Sequence, residues 1–116
     1  MNKIETNNNK YHMSNKEINK HIVNYLEEHY PYDLDKILLA DGFEGAFLGV
    51  VESFGTVPKA CYDYNTCIDI LMQDMADGDS PPTHDEAVEY LEFNVTQAYV
   101  GEHTPAFINT MDWEIG

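Results

Sequence analysis

Turn-forming residues divide the apolar pattern of this chain into segments, and most of those segments repeat at helical spacing. Ser14-Asn15-Lys16-Glu17 has the Ser-x-x-Glu form in which hydroxyl and carboxylate satisfy the free amides of a helix start. Ile18, Ile22, Tyr25, Leu26 and His29 follow three and four apart until Pro31, which predicts a first helix over 15–29. Asp33 is placed to cap a short second helix carrying Leu34, Leu38 and Leu39, with Gly42 ending it in a left-handed conformation. Phe43, Ala46, Phe47, Val50, Val51 and Phe54 then recur at three- and four-residue steps along one stripe, predicting a third helix that stops at Gly55. Within it Gly45 and Gly49 weaken helix propensity, so they suit either a close backbone approach or small positions in a crowded core.

After the Gly55-Thr56-Val57-Pro58 break, Lys59 to Tyr62 reads as a short strand. Asp63 is placed to cap a helix with Cys67, Ile68, Leu71, Met72 and Met75 on its apolar face. Thr83-His84-Asp85-Glu86 supplies a second capping box, opening a last helix over roughly 84–100. Val88, Leu91, Val95, Ala98 and Tyr99 share one arc of that helix, and Asp85, Glu89, Glu92 and Thr96 form the adjacent stripe. Tyr90 and Phe93 point away from the apolar arc, which means either packing on two sides or aromatic anchors for a partner. Ala106 to Ile108 is a second short run able to pair with 59–62. The fold class expected is mainly α with an α+β element: a compact bundle of about five helices and a small two-stranded β-ribbon. Residues 1–12 read as a flexible polar tail, 13–108 as a single domain, and 109–116, with the lone Trp113, as an exposed tail.

Composition supports a folded core: 14 Phe, Trp and Tyr residues are too many for a chain kept disordered by its charge. No apolar run approaches the roughly 20 residues a membrane-spanning helix needs, and Met1 to Lys10 lacks the apolar segment of a signal peptide, so a cytoplasmic location is expected. Charge is the unusual feature, with 21 acidic residues against six lysines and no arginine, a formal net charge of −15. Residues 1–59 hold nine acids and all six lysines, whereas 60–116 hold twelve acids and no base. Phosphate contacts require lysine or arginine, so direct nucleic-acid binding and attraction to anionic lipid are excluded for the second half. The acidity either keeps the chain dissolved or selects a basic partner.

Tests for chemistry are negative. Placing Gly78 at the sixth position of a calcium loop puts Gln73 first and His84 twelfth, where carboxylates are required. His21 and His29 lie two helical turns apart without a third ligand in the sequence, so no metal and no cofactor is expected. Nucleophilic catalysis would need Cys61 or Cys67 with His84 or His103, yet no local signature surrounds either cysteine, and Cys67 lies on an apolar face. Glu102-His103 reads as solvated turn residues more readily than as an acid–base pair. Asn94, at the edge of the apolar arc, is either a hydrogen-bonded anchor or part of a ligand pocket with Tyr99, Glu102, His103 and Thr104.

Asp41-Gly42-Phe43-Glu44, Tyr62-Asp63-Tyr64, Cys67 to Met72, Glu86 to Tyr90, Phe93-Asn94-Val95, Ala98 to Glu102 and Thr104-Pro105 together resemble a widespread family of small, functionally uncharacterised bacteriophage proteins. This chain differs in its longer connection, Asp77 to Pro82, before the last helix. The resemblance implies expression in the cytoplasm of an infected bacterial host, and by analogy a role in binding host proteins. The expected function is therefore a non-enzymatic accessory protein that binds a host protein with a basic surface. Such a partner would handle nucleic acid or act in defence, with Asp69, Asp74, Asp77, Asp79, Asp85, Glu89 and Glu92 imitating phosphates and Tyr90 and Phe93 as anchors. The alternative is a small-ligand-binding or sequestering protein using the pocket near the end of the last helix. Oligomeric state is left open by the sequence.

Overall fold

A computed structural model describes residues 13–74 and 82–111; the expected tail at 1–12, residues 112–116 of the expected tail at 109–116, and the loop residues 75–81 lie outside them. The first helix, α1 (Asn15–His29), begins where the capping box places it: Ser14 Oγ accepts from the Glu17 N–H at 3.1 Å, and Glu17 Oε1 accepts from the Ser14 N–H at 2.9 Å. Its buried stripe is Ile18, Ile22 and Leu26. Each such side chain removed from water stabilises the fold by about 1.5–3 kcal/mol.

The bundle of about five helices is overturned: the described residues form three α-helices and one three-stranded mixed sheet. No second helix forms over 33–42. The Asp33 carbonyl accepts from the Lys36 and Ile37 amides, each at 2.9 Å, but the turn goes no further because the Ala40 N–H is taken by the Tyr62 hydroxyl at 2.8 Å. Ile37 is the residue this turn buries, and Leu38 is exposed.

The stripe from Phe43 to Phe54 is also not a helix. It becomes a short 3-10 turn (Glu44–Ala46) followed by β1 (Phe47–Val51). The stretch pairs two glycines, which disfavour a helix, with aromatic and β-branched residues that suit a pleated surface. Gly49 has φ +153°, at a bulge where the register slips between Phe47 and Gly49, so its role is conformational. A Cβ there would meet nothing within 4 Å, which excludes a close backbone approach. The cost of misreading the period falls on Val51 and Phe54, expected in the core and found exposed.

Strand β2 (Lys59–Asp63) lies at the centre of the sheet. It pairs antiparallel with β1 and parallel with β3 (Ala106–Ile108), so the pairing of 59–62 with 106–108 is present as one side of a larger sheet. Between β2 and β3 the chain runs through α2 (Tyr64–Asp74) and α3 (His84–Leu91). Asp63 caps the start of α2, its Oδ2 accepting from the Thr66 N–H at 2.9 Å and the Thr66 hydroxyl at 2.6 Å.

The last helix is shorter than its periodicity predicts. After Leu91 it widens into a π-helical turn (Glu92–Thr96), which shifts the following residues around the axis. Asn94 Nδ2 donates to the Tyr90 carbonyl at 3.1 Å, a side-chain bond to a backbone oxygen of the kind that competes with the helix ladder. Leu91 stays fully buried and Val88 and Val95 partly so, but Ala98 and Tyr99 are exposed rather than in the core.

Tyr62 joins these parts. It stands in register with Phe47 on one side and Phe107 on the other. Its ring meets Phe47 edge-on at 5.6 Å between centroids and stacks on Phe107 at 5.7 Å. Around it lie Ala60, Cys67, Ile68, Leu71, Ala87 and Leu91, all buried.

Replacing Leu91 with Asp places an unpaired charge in this core and is expected to unfold the domain, read as loss of the thermal transition. Tyr62→Phe leaves the Ala40 N–H without its acceptor and should cost about 1–2 kcal/mol in urea denaturation. Burial pushes the Tyr62 hydroxyl up to about 12 from an ordinary value of 10.0, against the Ala40 N–H, which favours the phenolate. The folded state thus prefers the neutral phenol. That preference contributes fully below pH 10 and is lost as pH rises towards about 12. Denaturation midpoints across this window should fall less steeply in Tyr62→Phe than in the parent chain.

Candidate functional site

Helix α3 is held at its start by Thr83, whose Oγ1 accepts from the Glu86 N–H at 3.1 Å while Glu86 Oε1 accepts from the Thr83 N–H at 2.9 Å. With Ala87 and Leu91 turned into the core, helical geometry sends the intervening residues outward. Asp85, Glu89, Glu92, Tyr90 and Phe93 are all exposed, Phe93 to 82% and Tyr90 to 44%. The four-residue steps from Glu86 to Tyr90, Glu89 to Phe93 and Tyr90 to Asn94 bring these five side chains around one shallow groove of about 360 Å³. Packing on two sides of this helix is therefore not what holds its aromatic residues.

The acidic stripe divides on inspection. Glu92 Oε2 accepts a 2.7 Å bond from the Tyr64 hydroxyl, tying the π turn back to the start of α2. Burial, then this bond and the Glu92 charge, push the Tyr64 hydroxyl up to about 12. Glu92 is thus fixed in place, while Asp85 and Glu89 stand in solvent. Asp69 lines a separate hollow on α2 with Thr66, Ile70, Met72 and Gln73, and Asp74 is exposed at the end of that helix. Asp77 and Asp79 lie outside the described residues.

The residues expected to form a ligand pocket after the last helix take different positions among the described residues. Asn94 belongs to the α3 groove, whereas Tyr99 and Glu102 are exposed. Thr104 Oγ1 accepts from the Val100 N–H at 2.9 Å and donates to the Gly101 carbonyl at 2.6 Å, a turn-closing role. His103 turns inward, with Nε2 3.9 Å from Asp33 Oδ1 and no hydrogen-bond partner among the described residues.

Burial pushes the Cys67 thiol up to about 12 and raises that of Cys61, with the Asp63 charge adding in both cases. Both thiols are held in the protonated form, the opposite of what a nucleophile requires. Among the described residues no group of three or more His, Cys, Asp or Glu side chains is placed to hold a metal ion. No helix among them is long and apolar enough to cross a membrane.

Two members of the α3 groove were hidden from the periodicity. Glu86 reads only as a capping residue, and Asn94, expected at the edge of the apolar arc, lines this exposed groove instead. Glu44, the one charged side chain buried among the described residues, was equally hidden, because a helix over 43–54 would have turned it to solvent. Comparison with known proteins finds no matching family, curated protein or solved structure.

Proposed function

We propose that the protein is a non-enzymatic phage accessory protein whose α3 face binds a basic surface on a host protein. That partner normally handles nucleic acid or acts in defence, and the bound protein inhibits or redirects it. The carrying observation is the exposure of Tyr90 and Phe93 side by side in a groove walled by Glu86 and Glu89. Two exposed aromatic rings ringed by carboxylates suit a partner that presents apolar contact flanked by lysine or arginine. The uneven distribution of charge supports the same reading, since the half of the chain containing α3 holds twelve acids and no base. A phosphate-binding cleft is the kind of surface this field attracts, and the aromatic rings supply affinity that charge alone does not.

The test uses the immobilised full chain, a bacterial host lysate and the double variant Asp85→Lys/Glu89→Lys. Glu92 is left intact because its bond to Tyr64 is part of the fold. The parent chain should capture a protein that is released by duplex DNA and by raising salt from about 0.05 to about 0.3 M, over which the screening length falls by roughly half. The double variant should keep its circular dichroism spectrum and lose the capture. Phe93→Ala should weaken the purified pair by about 2 kcal/mol, as truncation of an interface anchor does. Capture by the folded double variant with unchanged affinity and salt response would sink the proposal.

A further inference from the structure

The 3-10 turn Glu44–Ala46 is wedged against both α1 and α2, and Phe43, Gly45 and Ala46 are buried beside Glu44. Glu44 itself is only 8% exposed. Its carboxylate receives the Gly42 N–H, at 3.1 Å to Oε1 and 3.3 Å to Oε2, and no other hydrogen bond or ion pair among the described residues. A carboxylate offers about four acceptor positions, and a buried one is costly unless a counter-charge or several donors meet it. One shared amide is little for a full negative charge.

Glu44 also lines a hollow of about 200 Å³ with Ile18, His21, Ile22, Tyr25 and Phe47. The hollow lies between one face of α1 and the start of β1, and Tyr25, 38% exposed, stands beside its opening to solvent. A buried carboxylate, two aromatic rings and two isoleucine side chains combine the groups that hold an organic cation. The carboxylate supplies charge-assisted hydrogen bonds, the rings supply cation–π attraction, and the apolar walls accept an alkyl stem. A metal is a poor fit: calcium or magnesium asks for about six or more oxygen ligands where one carboxylate is present, and zinc would need a third side-chain ligand besides Glu44 and His21. The volume admits the head of an amine or guanidine and excludes a nucleotide.

We infer that this hollow is a binding site for an alkylammonium or guanidinium head group, with Glu44 as counter-ion and Tyr25 and Phe47 as its aromatic walls. It is distinct from the α3 groove and does not depend on the function proposed for that groove. The head group can belong to a free amine or to a lysine or arginine side chain.

The experiment is a titration of the isotope-labelled full chain, followed by proton–nitrogen correlation spectra, with n-butylammonium and spermidine as free amines and with N-acetyl-arginine amide and N-acetyl-lysine amide as side-chain mimics. The expected result is saturable shifts centred on Ile18, His21, Ile22, Tyr25, Glu44 and Phe47. Tighter binding of the free amines assigns a metabolite-like amine, and tighter binding of the blocked amino acids assigns a peptide side chain; either supports the site. Glu44→Gln keeps an acceptor for the Gly42 N–H but removes the charge, so it should weaken binding about tenfold or more in a chain that stays folded. Tyr25→Leu should weaken it severalfold, and Tyr25→Phe should leave it unchanged, because cation–π attraction needs the ring and not the hydroxyl. The inference is overturned by the absence of saturable shifts with all four probes, or by equal affinity in folded Glu44→Gln. Should that variant fail to fold, equal affinity in Tyr25→Leu overturns it instead.

Discussion

The hydrogen bond from the Ala40 amide to the Tyr62 hydroxyl is the constraint on which the arrangement of this chain depends. Tyr62 is fully buried in the central strand, so its hydroxyl needs a partner inside the protein. Meeting that need with a backbone amide 22 residues earlier holds the segment after α1 out of a helix. The chain then turns at Gly42, enters the core at Phe43 and delivers Phe47 onto the ring of the same tyrosine. Phe107 closes the row from the other edge. One side chain thus couples the irregular segment, all three strands and the helices packed over them.

From this arrangement the two candidate binding regions follow by different routes. The α3 groove exists because Ala87 and Leu91 commit one side of a short helix to the core, leaving an opposite side on which acids and aromatic rings alternate. Its polar and apolar groups are in solvent, where charge selects partners at little cost to the fold. The hollow beside Glu44 arises because the chain leaves Gly42 and packs a tight turn against two helices, carrying a carboxylate inward with the turn. There the carboxylate is largely buried, where attraction between opposite charges is screened less than at the surface.

Bonds between distant hydroxyls and carboxylates tie the periphery together. Tyr30 donates to Glu52 at 2.8 Å, joining the end of α1 to the connection after β1, and Tyr64 donates to Glu92. In both, the carboxylate favours the neutral phenol, and both hydroxyls are pushed up to about 12. Part of the large acidic surplus is therefore used structurally, which separates Glu52 and Glu92 from the freely exposed Asp85 and Glu89.

Local chemistry was legible in the sequence wherever the interaction is local. Both capping boxes, the extent of α1, the burial of Ile18, Ile22 and Leu26 (though not of Tyr25 and His29, which are exposed) and of Cys67, Ile68 and Leu71, and the short strands at 59–62 and 106–108 follow from residues within a few positions of one another. That Tyr90 and Phe93 lie off the apolar arc follows from the same periodicity, which left open whether they pack on a second side or stand in solvent, as they do. Three features were decided only by tertiary structure. The stripe from Phe43 to Phe54 satisfies helical spacing, yet β2 offered an edge for pairing and the two glycines made a helix expensive. The segment 33–42 lost its helix to the Tyr62 hydroxyl, an acceptor far away in sequence. Glu44 was drawn inward by a turn with no periodic signature. Periodicity reports which residues avoid water. Which partner they find, and whether a charge is carried in with them, depends on what the rest of the chain brings alongside.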